Sequence, residues 1–272
     1  MPILVDDHLK KEKNKIMGKY SMITLEPTMD LHLGVAHGGA DILFGWQEIE
    51  IPNGTCALKQ IHGTIAGING AAANTHDIHL YFARSINGVA PTSFGTEHAA
   101  HTAAIATAYR RNILGFTFLD LSSSDDADIL VGYNVLGSRT GATNENVQMA
   151  GDQHNIMLQG DSKYNSTQGF QTIWIAAAGR GTFDFGTDVD LNMAGHQAAS
   201  TAPVQITTSG TDPRICFQPG DKLIGETGTV TMEVVSVDSA TTMTVKDVSD
   251  QIDHQEQLVL RNPIKLHIGL EY

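Results

Sequence analysis

The sequence predicts a mainly β protein, and three observations carry that expectation. Turn signals punctuate the chain at Pro52-Asn53-Gly54, Asn69-Gly70, Asn87-Gly88 and Pro219-Gly220-Asp221. Between them, apolar side chains recur at alternate positions, the period of a strand. The composition is 41% hydrophobic with 27 glycines and only 17% charged residues, too apolar for a disordered chain and suited to short strands joined by tight turns. With 272 residues there is enough chain for one large β domain, or for a domain with a small companion.

Residues 1–22 read as a basic N-terminal arm, partly helical around Leu9–Met17. Lys10, Lys11, Lys13, Lys15 and Lys19 outnumber Asp6, Asp7 and Glu12 by two, whereas the whole chain carries −13, so the remainder carries −15. These five lysines are the candidate partner-binding residues, suited to an acidic neighbour, with a solvated, frayed terminus as the plain alternative. The acidic remainder repels nucleic-acid backbones, so no nucleic-acid partner is expected.

Strand signals begin with Ile42–Ile51. In Leu58–Ile68, Ile61 and Ile65 share a face with Gly63. In Asp77–Arg84, Ile78, Leu80 and Phe82 face one way and His79 and Tyr81 the other. The Ala-rich stretch Thr96–Asn112 opens on a candidate N-cap and Glu97 and closes on Arg110-Arg111, which predicts a short helix across a sheet, with a strand as the alternative. Strands resume at Gly115–Leu121 and Ile129–Leu136, with further candidates at Asn155–Gln159, Phe170–Ala177 and Thr182–Phe185. Residues 137–153 read as an exposed connection and 194–202 as a linker.

From Pro203 the texture changes. Val204–Thr207, Lys222–Ile224, Thr229–Val237, Thr241–Asp247 and Gln257–Leu260 are five short strands with tight joints, which predicts a small β-barrel over 203–262. Ile264, Leu266, Ile268 and Leu270 then alternate with Lys265, His267, Gly269 and Glu271. So regular a strand is expected to return, over 263–272, to the sheet of the 23–202 body, which makes the barrel an insertion.

Candidate chemistry is sparse. His98 and His101, three apart beside Glu97, would share a helix face, but no third ligand follows at a useful spacing for zinc. His76 and His79 fall on opposite faces of a strand. Asp188-Val-Asp190-Leu-Asn192 begins like a calcium loop and then fails, with Met193 where the turn glycine belongs and Ala199 where the bidentate glutamate belongs, so the stretch reads as a solvent-facing strand edge or a loop. Glu48 and Glu50 alternate with Ile49 and Ile51, as the wet face of a strand does, and Trp46 and Trp174 read as core. There is no Gly-x-Ser-x-Gly and no phosphate loop. No catalytic residue, cofactor or metal is assigned, and the chain is expected not to be an enzyme. Cys56 and Cys216 are two distant thiols, which fit a reducing compartment. No apolar run is long enough for a signal peptide or a membrane span, so neither secretion nor a membrane partner is expected.

Phe217-Gln-Pro-Gly-Asp-Lys-Leu223, Gly228-Thr-Val230, Val235-Ser-Val-Asp-Ser-Ala-Thr-Thr-Met-Thr-Val245 and Arg261-Asn-Pro-Ile264 are together similar to a small barrel module of virion structural proteins of tailed bacteriophages, marine and cyanobacterial ones in particular. The Gly/Ala/Thr-rich body resembles capsid decoration and cement proteins. The likeness covers roughly residues 203–264 by motif and the rest by texture. It implies a jelly-roll-like β-sandwich body and a virion component assembled in a bacterial cytoplasm. It also implies a homotrimer that bridges subunits of the major capsid protein. A tail, neck or fibre component is the alternative within the same particle. A carbohydrate-binding or glycan-hydrolysing β protein is the alternative of another class.

Overall fold

A computed structural model describes residues 19–29, 36–66, 76–120, 133–138, 156–167, 169–185, 189–225 and 229–272. The chain is mainly β. The body strands are β1 (Tyr20–Leu25), β2 (Ile42–Pro52), β3 (Cys56–Ala66), β4 (Ile78–Ala83), β5 (Ile113–Asp120), β6 (Tyr133–Ser138), β7 (Met157–Leu158), β8 (Phe170–Gly179) and β15 (Ile264–Glu271). They form one antiparallel sheet in the order β1-β15-β3-β6-β5-β4-β8-β2, with β7 paired to β3. The body is thus a continuous sheet curved into a half-barrel. Its core takes one side chain in two from each major strand, including Phe44, Ile51, Ile61, Ile65, Leu80, Phe82, Ile173, Ile175, Leu266 and Ile268.

The C-terminal strand β15 lies between β1 and β3, with Ile268 opposite both Ile23 and Ile61. Gly63 permits this closeness. A Cβ there would lie 1.9 Å from the Lys265 carbonyl oxygen, and that backbone has no flexible end that could yield.

β8 is buried from Gln171 to Gly179, because both of its faces are covered. Ile173, Ile175 and Ala177 enter the main core, while Ala176 and Ala178 lie in a second cluster with Ile42, Phe94 and Tyr109. Helix α1 (Ala103–Tyr109) supplies Tyr109, Ile105 and Ala106 to that cluster. The helix is shorter than the stretch Thr96–Asn112 suggested. Its cap is Thr102, whose hydroxyl accepts from the Ile105 amide. Residues 96–101 instead run along β2, where Ile42 exchanges backbone bonds with His98 and Ala99.

The second unit is a closed barrel, β10-β13-β12-β11-β14-β9. Its strands are β9 (Val189–Leu191), β10 (Val204–Gly210), β11 (Lys222–Gly225), β12 (Thr231–Val237), β13 (Thr242–Lys246) and β14 (Gln257–Leu260). β9 is three residues long and falls in the acidic stretch around Asp190, for which a strand edge and a loop were both open. Val189 and Leu191 point inward, and β9 closes the barrel between β10 and β14. Residues 194–202 are fastened to the barrel by bridges from Gln197 to Ile252 and from Ser200 to Val248. Thr182–Phe185 forms only an isolated bridge, Phe183 to His37. Helix α2 (Pro213–Cys216) starts with proline after an Asp212 cap and sets Cys216 and Phe217 in the barrel core.

Strand alternation also joins the two units. Leu258 and Leu260 face into the barrel, while Val259 between them is fully buried in the body core. On β11, Leu223 is likewise inside the barrel, and Ile224 packs against the body.

Candidate assembly surfaces

The sheet's two edges differ. At one edge, β1 presents Tyr20 and Met22, 72% and 52% exposed, beside Thr24. The same face of β15 and β3 is a polar ladder. Thr24 Oγ1 and His267 Nδ1 lie 3.0 Å apart, and His267 is opposite His62 with ring centroids at 5.2 Å. Lys59 reaches Glu271 at 2.5 Å, and Lys265 reaches Glu26 at 2.9 Å. The hydrogen bond from Lys59 holds the Glu271 carboxyl below its usual range, and Lys265 does the same for Glu26. Every formal charge in this ladder is therefore matched by a neighbour.

At the other edge, β2 exposes Glu48 and Glu50. They line a shallow depression with Asn165, Ser166, Thr167 and Thr172, and the Tyr164 hydroxyl donates to Glu48 at 2.7 Å. Trp46 and Trp174 are not displayed as sugar platforms. Trp46 Nε1 donates to the Thr92 carbonyl and its ring meets Phe94 and Tyr109 edge-on, while Trp174 donates to Ser85 and is 9% exposed.

The histidines are separated by local structure. His98 lies outside α1 with a φ of 60° and stacks on His37 at 3.6 Å. His101 stacks on Phe94 and pairs with the Tyr109 hydroxyl. The shared helix face expected for the two is absent, because the helix begins after both. His79 lies against Phe118 on the outer face of β4–β5, and burial pushes its pKa down to about 4, with Arg180 and His101 adding to the shift. His76 packs instead over Gly181 and Phe183. Asp190 points outward from β9, and Asp188 lies outside the described residues. No group of three or more His, Cys, Asp or Glu among the described residues is placed to hold a metal. Both thiols are free and buried, and burial raises that of Cys56.

Of the five arm lysines, Lys19 extends β1 by exchanging backbone bonds with Tyr272. Lys10, Lys11, Lys13 and Lys15, and the helix expected at Leu9–Met17, lie outside the described residues. No helix among the described residues is long and apolar enough to cross a membrane. No protein-family model and no curated protein matches the chain.

The edge of β1, unpaired among the described residues, straddles the boundary expected between arm and body, with Tyr20–Met22 assigned to the arm and Ile23–Leu25 to the body. The signal was present: six residues, YSMITL, with no charge, proline or glycine.

Proposed function

We propose that the chain is a non-enzymatic structural component of a tailed-phage virion, a decoration or cement protein bridging subunits of the major capsid protein. The observation that carries this reading is modular. The segment whose motifs resemble phage virion modules is the greater part of a closed barrel with its own core, inserted between body strands β8 and β15. Closure leaves that unit without edges, while the body keeps an open sheet for contacts with other chains. A bridging protein needs such contact area more than it needs a cleft, because each bound copy adds interface across a seam under tension. Two depressions among the described residues, one beside Glu48 and Glu50 and one beside Arg110 and Arg111, are shallow, and no metal-ligating cluster of three or more residues lies among the described residues.

Quantitative mass spectrometry of the purified particle tests the proposal. Copies on the order of hundreds per particle, as shell symmetry generates, fit decoration. A few to tens place the chain in the tail or neck, and absence from the particle overturns the reading. A chain lacking residues 1–18 should keep its fold and lose binding to empty shells if the arm lysines dock it. Unimpaired binding would remove the arm from the account.

A further inference from the structure

The free edge of β1 has a defined hydrogen-bonding pattern. Lys19 donates to and accepts from Tyr272, so odd-numbered residues of β1 turn their backbone groups toward β15. The register continues without a bulge from Tyr20 opposite Glu271 to Leu25 opposite Leu266. Tyr20, Met22 and Thr24 therefore aim their amides and carbonyls away from the sheet, and among the described residues no strand pairs with that side. Natural sheets blunt such edges with charges, prolines or bulges. β2 follows that rule with Glu48 and Glu50 and with residues 98–99 bonded along its start. β1 does not.

We infer that β1 pairs antiparallel with β1 of a second copy of this chain across a two-fold axis, joining two body sheets into one. Charge selects the second copy as the occupant. Two chains of −13 repel each other. Beside β1 the ladder is paired, Lys59 with Glu271 and Lys265 with Glu26, so it adds no net charge to the repulsion between copies, and Lys19 is the one charge in line with the strand. The register is constrained as well. Only outward-facing residues can bond across the axis, which pairs even with even. Centring on Met22 places Tyr20 opposite Thr24 of the second copy and uses all three outward residues, with two hydrogen bonds per pair. Centring on Ile23 would push Tyr20 past the end of the strand. The contact does not depend on the virion reading, and it joins copies in pairs, unlike the trimer the resemblance implies.

Sedimentation velocity of the full chain from about 1 to 100 µM tests the inference. The wild type should self-associate in pairs. Met22→Pro should leave β1 on β15, because the Met22 amide faces away from β15 and proline is tolerated on an edge. It should weaken self-association by roughly tenfold or more through the bonds lost on the axis. Met22→Cys decides independently. Opposite Cα atoms in such a pair lie about 5.5 Å apart, within the roughly 4.4–6.8 Å a disulfide spans, so mild oxidant should link two copies. Tyr20→Cys, facing threonine, should link poorly, and the buried native thiols should not interfere. A chain monomeric throughout, self-association untouched by Met22→Pro, or Tyr20→Cys linking as readily as Met22→Cys would each overturn the pairing.

Discussion

The barrel and the body solve the same β problem in opposite ways. The barrel closes on itself through β9, a strand of three residues, and leaves no edge. The body has more strands and a larger core, yet stays open, with β1 at one side and β2 at the other. Closure makes a unit self-sufficient, whereas an open sheet needs either blunting or a partner. Within the body, β2 is blunted with glutamates and β1 is not, so the difference between the units recurs between the two edges.

The comparison breaks most severely at the β3–β15 contact. Gly63→Ala drives a methyl group into the Lys265 carbonyl, so the body should lose about 4 kcal/mol or more. Gly39→Ala, where nothing lies within 4 Å, should be nearly neutral. Chemical denaturation of the two variants checks this pair.

Next comes the seam between the units. Val259→Asp buries an unpaired carboxylate where the barrel meets the body core, and should cost about 3–5 kcal/mol. Calorimetry should then resolve two transitions in the variant and a single one in the wild type. A single transition in the variant would mean that the units are not independent.

A smaller effect sharpens the body side through pH. The His79 pKa is lowered from 6.5 to about 4. The unfolded chain therefore takes up the proton first. The stability from the neutral ring is complete above about pH 6.5 and is lost as pH falls toward about 4. Because the ring is only partly shielded, His79 should contribute about 1–2 kcal/mol to that loss. His79→Phe, beside Phe118, should flatten the melting temperature over that range. An unchanged slope would show that other groups carry it. Smallest is Thr102→Ala, which removes the α1 cap and should cost about 0.5–1 kcal/mol by thermal melting, with the barrel unaffected.

The legible parts of the fold share one property. β4 and β15 alternate and β8 runs apolar over most of its length, so their burial is written in the pattern of their residues. What escaped notice depends on distant partners. β9 is too short to show a period and is a strand only because β10 and β14 flank it. α1 starts late because residues 98–99 are bonded to Ile42, far away in sequence. His98 and His101 looked like a pair by spacing, but positive φ at one and the Tyr109 contact of the other send them to different neighbours. Edges are the hardest to foresee, since a sequence shows which residues favour strands but not which strand is left outermost.

Hydrogen exchange of the β1 amides at two protein concentrations tests the central claim most directly. Ser21, Ile23 and Leu25 point into the sheet and should be protected at both. Met22 and Thr24 should exchange quickly in dilute solution and become protected as concentration rises. If Met22 and Thr24 stay fast at every concentration, or are protected equally at both, the body's open edge is not where copies of this chain meet.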